Sequence, residues 1–432
     1  MSNQVFHPDW RSVPYWHEAR SPVESEPGHP PATCDVAVIG AGYTGLGVAL
    51  QTARGGRDTL VLDAGDPGAG CSTRNGGLVS TSIKPGLDEL ASRHGRERAW
   101  RILAEGHNAL AWLQTFVADE GIDCELRVSG RFHAAHNPAR YDKLARALER
   151  EPTGLGSGGW VVPPEEQHAE VATEAYHGGI VYPRHAVVQP ASLHAGMLTR
   201  ARESGARVLG SCAVHNLRRD AEHWLLDTAG GRVRARDVVI ATNGYTGAFS
   251  SWHRRRVIPI GSYVIATEPM GTDFIGSLIP GGRVITDTRR VVYYYRPSPD
   301  GQRLIFGGRV SLSETDPERS GRRLHADMAA LFPALGRARI SHSWVGFVGY
   351  TFDTLAHIGS RDRLHYALGY CGSGVAMAPY LGTRLGQKIL GHAEGATALD
   401  DLPLHGRPYY TGRPWFLAPS LLWFRLLDRF AA

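Results

Sequence analysis

Gly40, Gly42 and Gly45 are spaced G-x-G-x-x-G and follow directly on the apolar run Val36-Ala37-Val38-Ile39. That spacing suits one chemistry, the approach of main chain to a pyrophosphate. The first glycine permits a tight turn after a strand. The second lets backbone come close to the phosphates, and the third lets the next helix pack against the strand. A helix beginning near Thr44 would turn its N-terminal N–H groups and its dipole toward the same anion, with Ala41 and Tyr43 in the turn. Asp63 stands 18 residues after Gly45, close to the ~20 expected of a carboxylate that accepts from ribose hydroxyls. A glycine triplet alone is weak. Strand, glycines, helix, a second strand at 59–62 and an acid in register, followed by Ala64, read as a βαβ unit for the ADP half of a dinucleotide.

The next run decides which dinucleotide. Gly68-Ala69-Gly70-Cys71-Ser72-Thr73-Arg74-Asn75-Gly76-Gly77 is again rich in glycine and in donors. A nicotinamide site has no evident need for it. A flavin does, because its ribityl chain and ring continue beyond the ADP and need backbone close against them. The competing reading is a solvated surface loop.

Composition bounds the rest. The chain has 432 residues, 42% hydrophobic and 21% charged, with a net charge of +5. That is enough chain for two domains, and the charge is too mild and scattered for a nucleic-acid surface. The cysteines at 34, 71, 124, 212 and 371 form no C-x-x-C, which fits a reducing compartment. The twenty histidines show no zinc spacing, so no metal is expected. With no signal-like core at the start and no apolar run of ~18 residues, a cytoplasmic location is expected.

Around these motifs the chain reads as a nucleotide-binding domain in three pieces, 34–86, 178–256 and 351–400. A substrate or cap domain is expected at 87–177 and 257–350. An N-terminal arm covers 1–33, in which Pro14-Tyr15-Trp16 is a candidate to dock on the body. The tail 401–432 is aromatic and apolar, and packing on protein is favoured over contact with a membrane. Leu87, Leu90, Ala91, Trp100, Leu103, Leu110, Leu113, Phe116 and Val117 predict one helix over 87–120. Short strands are expected at 127–135, 178–182, 206–210, 212–217, 224–227, 233–236 and 237–241, and helices at 137–150 and 191–204. The segment 257–350 is rich in Val, Ile, Tyr and Trp and predicts an antiparallel sheet, interrupted by a helix at 322–332. Strand 366–369, the loop Tyr370-Cys371-Gly372-Ser373-Gly374 and helix 375–390 repeat the strand–glycine–helix logic. They can aim a helix N-terminus at a flavin edge where negative charge develops on reduction.

These motifs, with Ala241-Thr242-Asn243-Gly244-Tyr245-Thr246, Thr267-Glu268-Pro269, Phe306-Gly307-Gly308-Arg309, Trp344-Val345-Gly346, His357-Ile358-Gly359 and Gly372-Ser373-Gly374-Val375, resemble the D-amino-acid oxidase superfamily of FAD-dependent oxidoreductases. Within it the chain looks most like the gamma-glutamylputrescine oxidoreductase group. The resemblance implies an α/β fold, with a discontinuous Rossmann-like FAD domain of the GR2 type and an α+β substrate domain on a mostly antiparallel sheet. It implies an enzyme that oxidises the C–N bond of a small-molecule amine, with oxygen or another acceptor taking the electrons, as a monomer or homo-oligomer. It places ADP on Gly40, Gly42, Gly45 and Asp63, and the flavin on Ser72, Thr73, Asn75, Gly76 and Gly77. It sets the backbone of Val214 against adenine, and Gly372, Gly374 and Val375 at the far edge of the ring. Two departures stand out. Asp63 replaces a frequent Glu, and Ala356 replaces a frequent Pro before the histidine of the His-Ile-Gly motif. Cys71 and Cys371 lie in flavin-facing loops without the known covalent-attachment motifs.

Amine oxidation needs a neutral amine held over the flavin, so an aromatic, low-dielectric wall is expected. Tyr263, Tyr293, Tyr295, Trp344 and Tyr370 are candidates for it. Arg309 and Arg74 are candidates to hold a substrate carboxylate, and His357 to relay a proton. Two other readings keep the motifs: a quinone-linked hydroxy-acid or polyol dehydrogenase, and a flavin-binding subunit without turnover.

Overall fold

The computed structural model describes residues 5–22, 28–308, 316–417, 419–420 and 423. Strand β1 (Phe6–Arg11) precedes the nucleotide motif, and β2 (Thr33–Ile39), α1 (Tyr43–Arg54) and β3 (Thr59–Leu62) form the βαβ unit. All of β3 and the C-terminal half of β2 are buried, as strands covered on both faces must be. After β4 (Leu78–Val79), the single helix expected over 87–120 is two, α2 (Leu87–His94) and α3 (Arg96–Asp119). Gly95 breaks it at φ +79°, a conformation open to glycine and closed to a continuing helix.

β5 (Arg131–Ala134), α4 (Pro138–Glu149), β6 (Trp160–Val162), β7 (Gly179–Tyr182) and β8 (Ala186–Val187) lead to α5 (Pro190–Glu203). Both α4 and α5 begin with proline in the first turn. Each is capped by the side chain before it, Asn137 or Gln189, which accepts an N–H of the first turn. β9 (Arg207–Leu209), β10 (Val214–Asp220), β11 (His223–Thr228) and β12 (Gly231–Ile240) follow. β12 unites the two strands expected at 233–236 and 237–241, pairing antiparallel with β11 early and parallel with β2 later. Then come α6 (Ser251–Arg254), β13 (Ile258–Thr267), α7 (Thr272–Leu278), β14 (Val284–Asp287), β15 (Tyr294–Pro297), β16 (Leu304–Gly308), α8 (Pro317–Leu331) and β17 (Ile340–Tyr350). The last elements are β18 (His357–Arg361), β19 (Leu364–Leu368) and α9 (Gly374–Leu390).

Two large sheets organise these elements. The first has eight strands, with β10-β11-β12-β2-β3-β9 in line and β19 and β18 continuing from β12. Its centre is parallel, and α1, α3, α5 and α9 pack with it in one apolar core. The second has nine strands in the order β1-β17-β13-β16-β15-β14-β5-β7-β6 and is mostly antiparallel. Residues of α7 and α8 pack on one of its faces. β7 belongs to this sheet, pairing with β5 and β6, although the boundary at 178 grouped it with the nucleotide-binding pieces. The N-terminal arm likewise supplies β1, parallel to β17.

The crossing of α1 and α9 is close because glycines line it. A Cβ at Gly382 would lie 2.3 Å from the Thr44 carbonyl oxygen, and one at Gly47 2.8 Å from that of Pro379. Buried Glu105 of α3 accepts from the Tyr380 hydroxyl and from the Ala398 N–H, each at 2.7 Å. No described helix is long and apolar enough to cross a membrane. No cluster of three or more metal-ligand side chains occurs among the described residues.

Candidate cofactor site

β2 and β3 both end at a cavity of about 470 Å³, and the N-termini of α1 and α9 open onto it. Neither helix start carries a side-chain cap: Gly42 and Ser373 stand at the N-cap positions without one. Apart from the Tyr43 N–H, which Ser72 Oγ takes, their first turns offer N–H groups to a ligand. Gly40 takes φ +104° at the end of β2. A Cβ at Gly45 would sit 1.9 Å from the Gly40 carbonyl oxygen, so the helix can follow the strand this tightly only with glycine there.

Asp63 closes β3 with both carboxylate oxygens engaged. Oδ2 accepts from the Ala41 N–H at 2.7 Å and Oδ1 from the Gly65 N–H at 3.0 Å. Burial raises this carboxyl above its ordinary value, and the two N–H bonds oppose the rise. His194 of α5 donates from Nε2 to the Ala41 carbonyl at 2.7 Å, and burial pushes its imidazole down to about 4. Sequence reasoning missed His194. It stands 153 residues from the turn it supports, and no local pattern marks it.

The second glycine-rich loop is tied down by its own polar residues. Asn75 accepts from the Gly77 N–H at 2.8 Å and donates to the carbonyls of Cys71 and Ser72. Thr73 donates to the Gly68 carbonyl at 2.9 Å, and Ser72 accepts from the Tyr43 N–H at 3.0 Å. Arg74 donates from Nε to the Ala69 carbonyl at 2.7 Å and from Nη1 to that of Val345 at 3.3 Å. Its guanidinium braces the loop, so the expectation that it holds a substrate carboxylate is corrected. Two indoles complete the clamp, Trp344 donating to the Arg74 carbonyl and Trp16 to that of Asn75, at 2.9 and 2.8 Å.

The predicted cofactor residues therefore divide into two groups. Gly40, Gly42, Tyr43, Thr44, Asp63, Ala64, Ser72, Asn75, Val214, Thr242, Asn243, Gly372, Gly374 and Val375 line the cavity. Ala41, Gly45, Thr73, Arg74, Gly76, Gly77, Gly244 and Ser373 stand behind it. Gly76 gives room to the Tyr294 ring and Gly77 to the Val188 carbonyl, and a Cβ at Gly244 would meet the Gly349 N and the Phe347 carbonyl at 3.3 Å. Ser373 donates to the Ser82 carbonyl. Tyr245, next to the Asn243-Gly244 pair, and Phe249 also line the cavity. Burial pushes the thiols of Cys71 and Cys371 up to about 11, which keeps both protonated at neutral pH.

The residues chosen as catalytic are scattered. Tyr370 lines the cavity, and its hydroxyl is 2.6 Å from Thr44 Oγ1 at the start of α1. Tyr263 does not face it. Side chains alternate along a strand, and Tyr263, Tyr293 and Tyr295 pack in the cluster on the α8 face. Val264, Trp344 and Tyr294 pack in a separate cluster on the opposite face, with Trp16. The Tyr294 hydroxyl lies 3.0 Å from Ser262 Oγ. His357 is fully buried away from the cavity, with Nε2 3.0 Å from both Asp353 oxygens and Nδ1 3.4 Å from the Leu402 carbonyl. It joins a turn to the C-terminal segment and has no open path to a substrate. Arg309 and most of the aromatic tail lie outside the described residues.

Residues 35–387 match the family model described as FAD dependent oxidoreductase. The chain is 30% identical over 425 residues to the probable oxidoreductase OrdL of Rhizobium meliloti (strain 1021), covering 96% of this chain and 97% of that protein. It is 30% identical over 406 residues to the gamma-glutamylputrescine oxidoreductase of Escherichia coli (strain K12), covering 92% and 93%. Its fold is similar to that of glycine oxidase from Geobacillus kaustophilus, with a TM-score of 0.71 over 88% of this chain and 100% of the other, at 20% identity.

The residues present fit FAD. Two helix N-termini whose N-cap residues carry no capping side chain, an acid at the end of the second strand and a glycine-rich loop held by its own side chains all meet at one cavity. The apolar side chains of Ile39, Leu62, Val214 and Phe249 would flank an adenine, and Gly40, Gly42 and Thr44 a pyrophosphate.

Proposed function

The chain belongs to the FAD-dependent oxidoreductase family, and from that premise we propose that it oxidises the C–N bond of an amine or amino-acid-like substrate. The substrate class is a gamma-glutamylputrescine-like amine or an N-methylated amino acid. The observation that carries this reading is the similarity to gamma-glutamylputrescine oxidoreductase over 92% of the chain. It is supported by an FAD-shaped set of residues intact from Gly40 to Val375.

When bound, FAD supplies the two-electron oxidant that takes a hydride equivalent from the carbon next to nitrogen. The substrate becomes an imine, which water splits into an aldehyde or keto acid and an amine, and oxygen or another acceptor receives the electrons. The chain's own residues do the positioning. Gly40, Gly42, Thr44 and Asp63 hold the ADP end. Ser72, Asn75, Gly372, Gly374 and Val375 hold the ring end. Tyr370, ahead of α9, makes an apolar wall of the cavity, backed by Val264, Trp344 and Tyr294, which pack with Trp16 behind the flavin loop. Such a wall favours the neutral amine, whose lone pair drives hydride loss, over the ammonium. The reaction runs in the cytoplasm on a small molecule.

The test is an anaerobic visible spectrum of the purified holoprotein. Gamma-glutamylputrescine, putrescine, sarcosine, 4-methylaminobutyrate, glycine and D-alanine are added one at a time. Bleaching of the flavin band near ~450 nm by one class of amine is the expected result. A yellow protein that no amine bleaches overturns the reading.

A further inference from the structure

The segments 238–267 and 402–427 hold Arg254, Arg255, Arg256, Arg407, Arg413 and Arg425, and not one Asp, Glu or Lys. The whole chain has a net charge of +5, so its excess positive charge sits in these two stretches and the remainder is near neutral.

The two segments meet in space. Arg256, just after α6, donates from Nε to the Leu404 carbonyl at 3.0 Å, and the Tyr410 hydroxyl donates to that of Val257 at 2.8 Å. A Cβ at Gly406 would lie 3.5 Å from the Arg255 carbonyl oxygen, and one at Gly412 2.5 Å from the Arg254 side chain. Arg407 and Arg413, next to those glycines, therefore stand beside the run 254–256. No carboxylate pairs with any of these five arginines among the described residues. Arginines elsewhere on the surface, such as Arg54, Arg207 and Arg232, are each held by an acid.

Aromatic rings are exposed in the same place. Trp252 of α6 is 44% exposed, with the Arg256 guanidinium 4.0 Å from its ring centroid. Tyr409 is 91% exposed, Trp415 69% and Trp423 57%. Phe416 reaches the body through the Tyr410 ring, which anchors the start of the tail and leaves Trp415 in solvent. The tail goes on in the same vein, since ten of the sixteen residues 415–430 are Trp, Phe or Leu. Unpaired arginines, exposed indoles and leucines in one stretch fit the surface of an anionic bilayer. There Trp and Tyr settle at headgroup level, aliphatic side chains enter the acyl boundary and arginine is drawn by acidic lipid. A nucleic acid would engage the arginines and rings but would leave the leucines uncovered.

We infer that this face docks the protein peripherally on an anionic lipid membrane. Arg254, Arg255, Arg256, Arg407 and Arg413 lie over acidic headgroups, and Trp415 and Trp423 enter the interface. The inference goes beyond the amine-oxidation reading and does not depend on it.

The test is sedimentation of holoprotein with vesicles of phosphatidylcholine alone and with vesicles in which about a third of the lipid is phosphatidylglycerol. At low salt the protein is expected to bind the anionic vesicles at least roughly 10-fold more tightly, an advantage that roughly 0.5 M NaCl removes. Arg407→Gln combined with Arg413→Gln should weaken that binding roughly 30-fold, since each arginine near the surface contributes about 5-fold. Trp415→Ala combined with Trp423→Ala should weaken it roughly 10-fold and reduce the blue shift of tryptophan emission on vesicle addition. The flavin absorbance of both double variants, all at exposed positions, should match wild type. Equal sedimentation with both vesicles or with neither overturns the inference, as does unchanged binding in both double variants. Binding to poly-glutamate or RNA as tight as to anionic vesicles also overturns it, by making the patch a site for a soluble polyanion. Vesicle binding by a protein whose flavin no amine bleaches upholds the docking face and removes the amine-oxidation reading. Bleaching by an amine without vesicle binding does the reverse.

Discussion

Asp63 shows how one residue serves two tasks. Its spacing from Gly45 marks it as a ribose acceptor, while its two oxygens also fasten Ala41 and Gly65, the turns on either side of the ADP site. Removing it leaves two buried N–H groups without acceptors, each costing about 1–3 kcal/mol. Asp63→Ala is therefore expected to weaken FAD roughly 100-fold, and Asp63→Asn, which keeps one acceptor, roughly 10-fold. Titration of apoprotein with FAD, followed by flavin fluorescence, measures both. Affinity unchanged in the alanine variant would remove Asp63 from the site. At this scale the glycines and the acid were legible because their function depends on near neighbours in sequence. Tyr294 and His194 were not, because each gains its position from a partner far along the chain.

Trp16 belongs to the scale of elements. It is 1% exposed in the short turn Tyr15–His17, with its indole N–H on the Asn75 carbonyl and its ring edge-on to Trp344. Its own carbonyl accepts from Gln189 at the start of α5. The arm is thus a clamp that presses the flavin loop between β17 and α5. Trp16→Ala is expected to cost about 3–5 kcal/mol of stability. Trp16→Phe, which keeps most of the ring, should cost nearer 1 kcal/mol, the loss of one hydrogen bond. Thermal melts with and without FAD separate the two, and a gap that closes in apoprotein would show that the clamp acts only through the cofactor. The sequence pointed to Trp16 as a docking residue, but not to what it docks against. The same holds for β13 and β15, recognisable as strands from their Val, Ile and Tyr content. Which of their faces packs toward Trp16 and the flavin loop is a matter of register, and a shift of one residue exchanges Tyr263 for Val264.

The whole molecule carries several histidines that burial keeps neutral. The imidazoles of His194, His253 and His342 are pushed down to about 4, that of His133 to about 3 and that of His185 to about 2. In the unfolded chain each returns to its ordinary value near 6.5. The unfolded state then binds more protons than the native state below that pH, so their contribution to stability is full above about 6.5 and falls as the solution is acidified. Buried Asp287 opposes this, since its carboxyl is raised to about 6 by burial and its penalty is relieved on acidification. Asp63, raised by burial too, acts in the same sense, and two carboxyls against five imidazoles leave the histidines dominant. The melting temperature of holoprotein is expected to drop by roughly 10 °C between pH 6.5 and 4.5. Differential scanning fluorimetry across that range checks it, and a flat profile would mean that the histidines are hydrated.

By itself the sequence determined the nucleotide-binding βαβ unit and the identity of half of the groups that line the cavity. These follow from local rules: glycines where backbone must come close, an acid at the end of a strand, apolar runs where strands are covered on both faces. Only the tertiary structure decided which side of the nine-stranded sheet faces the cofactor. It alone turned His357 into a brace and set His194 under the Ala41 turn. Side-chain direction along a strand has a period of two residues, and the pairing that sets its phase is made between separate segments, as where Tyr263 pairs with Gly308 on one side and Val345 on the other. No window of sequence contains that information.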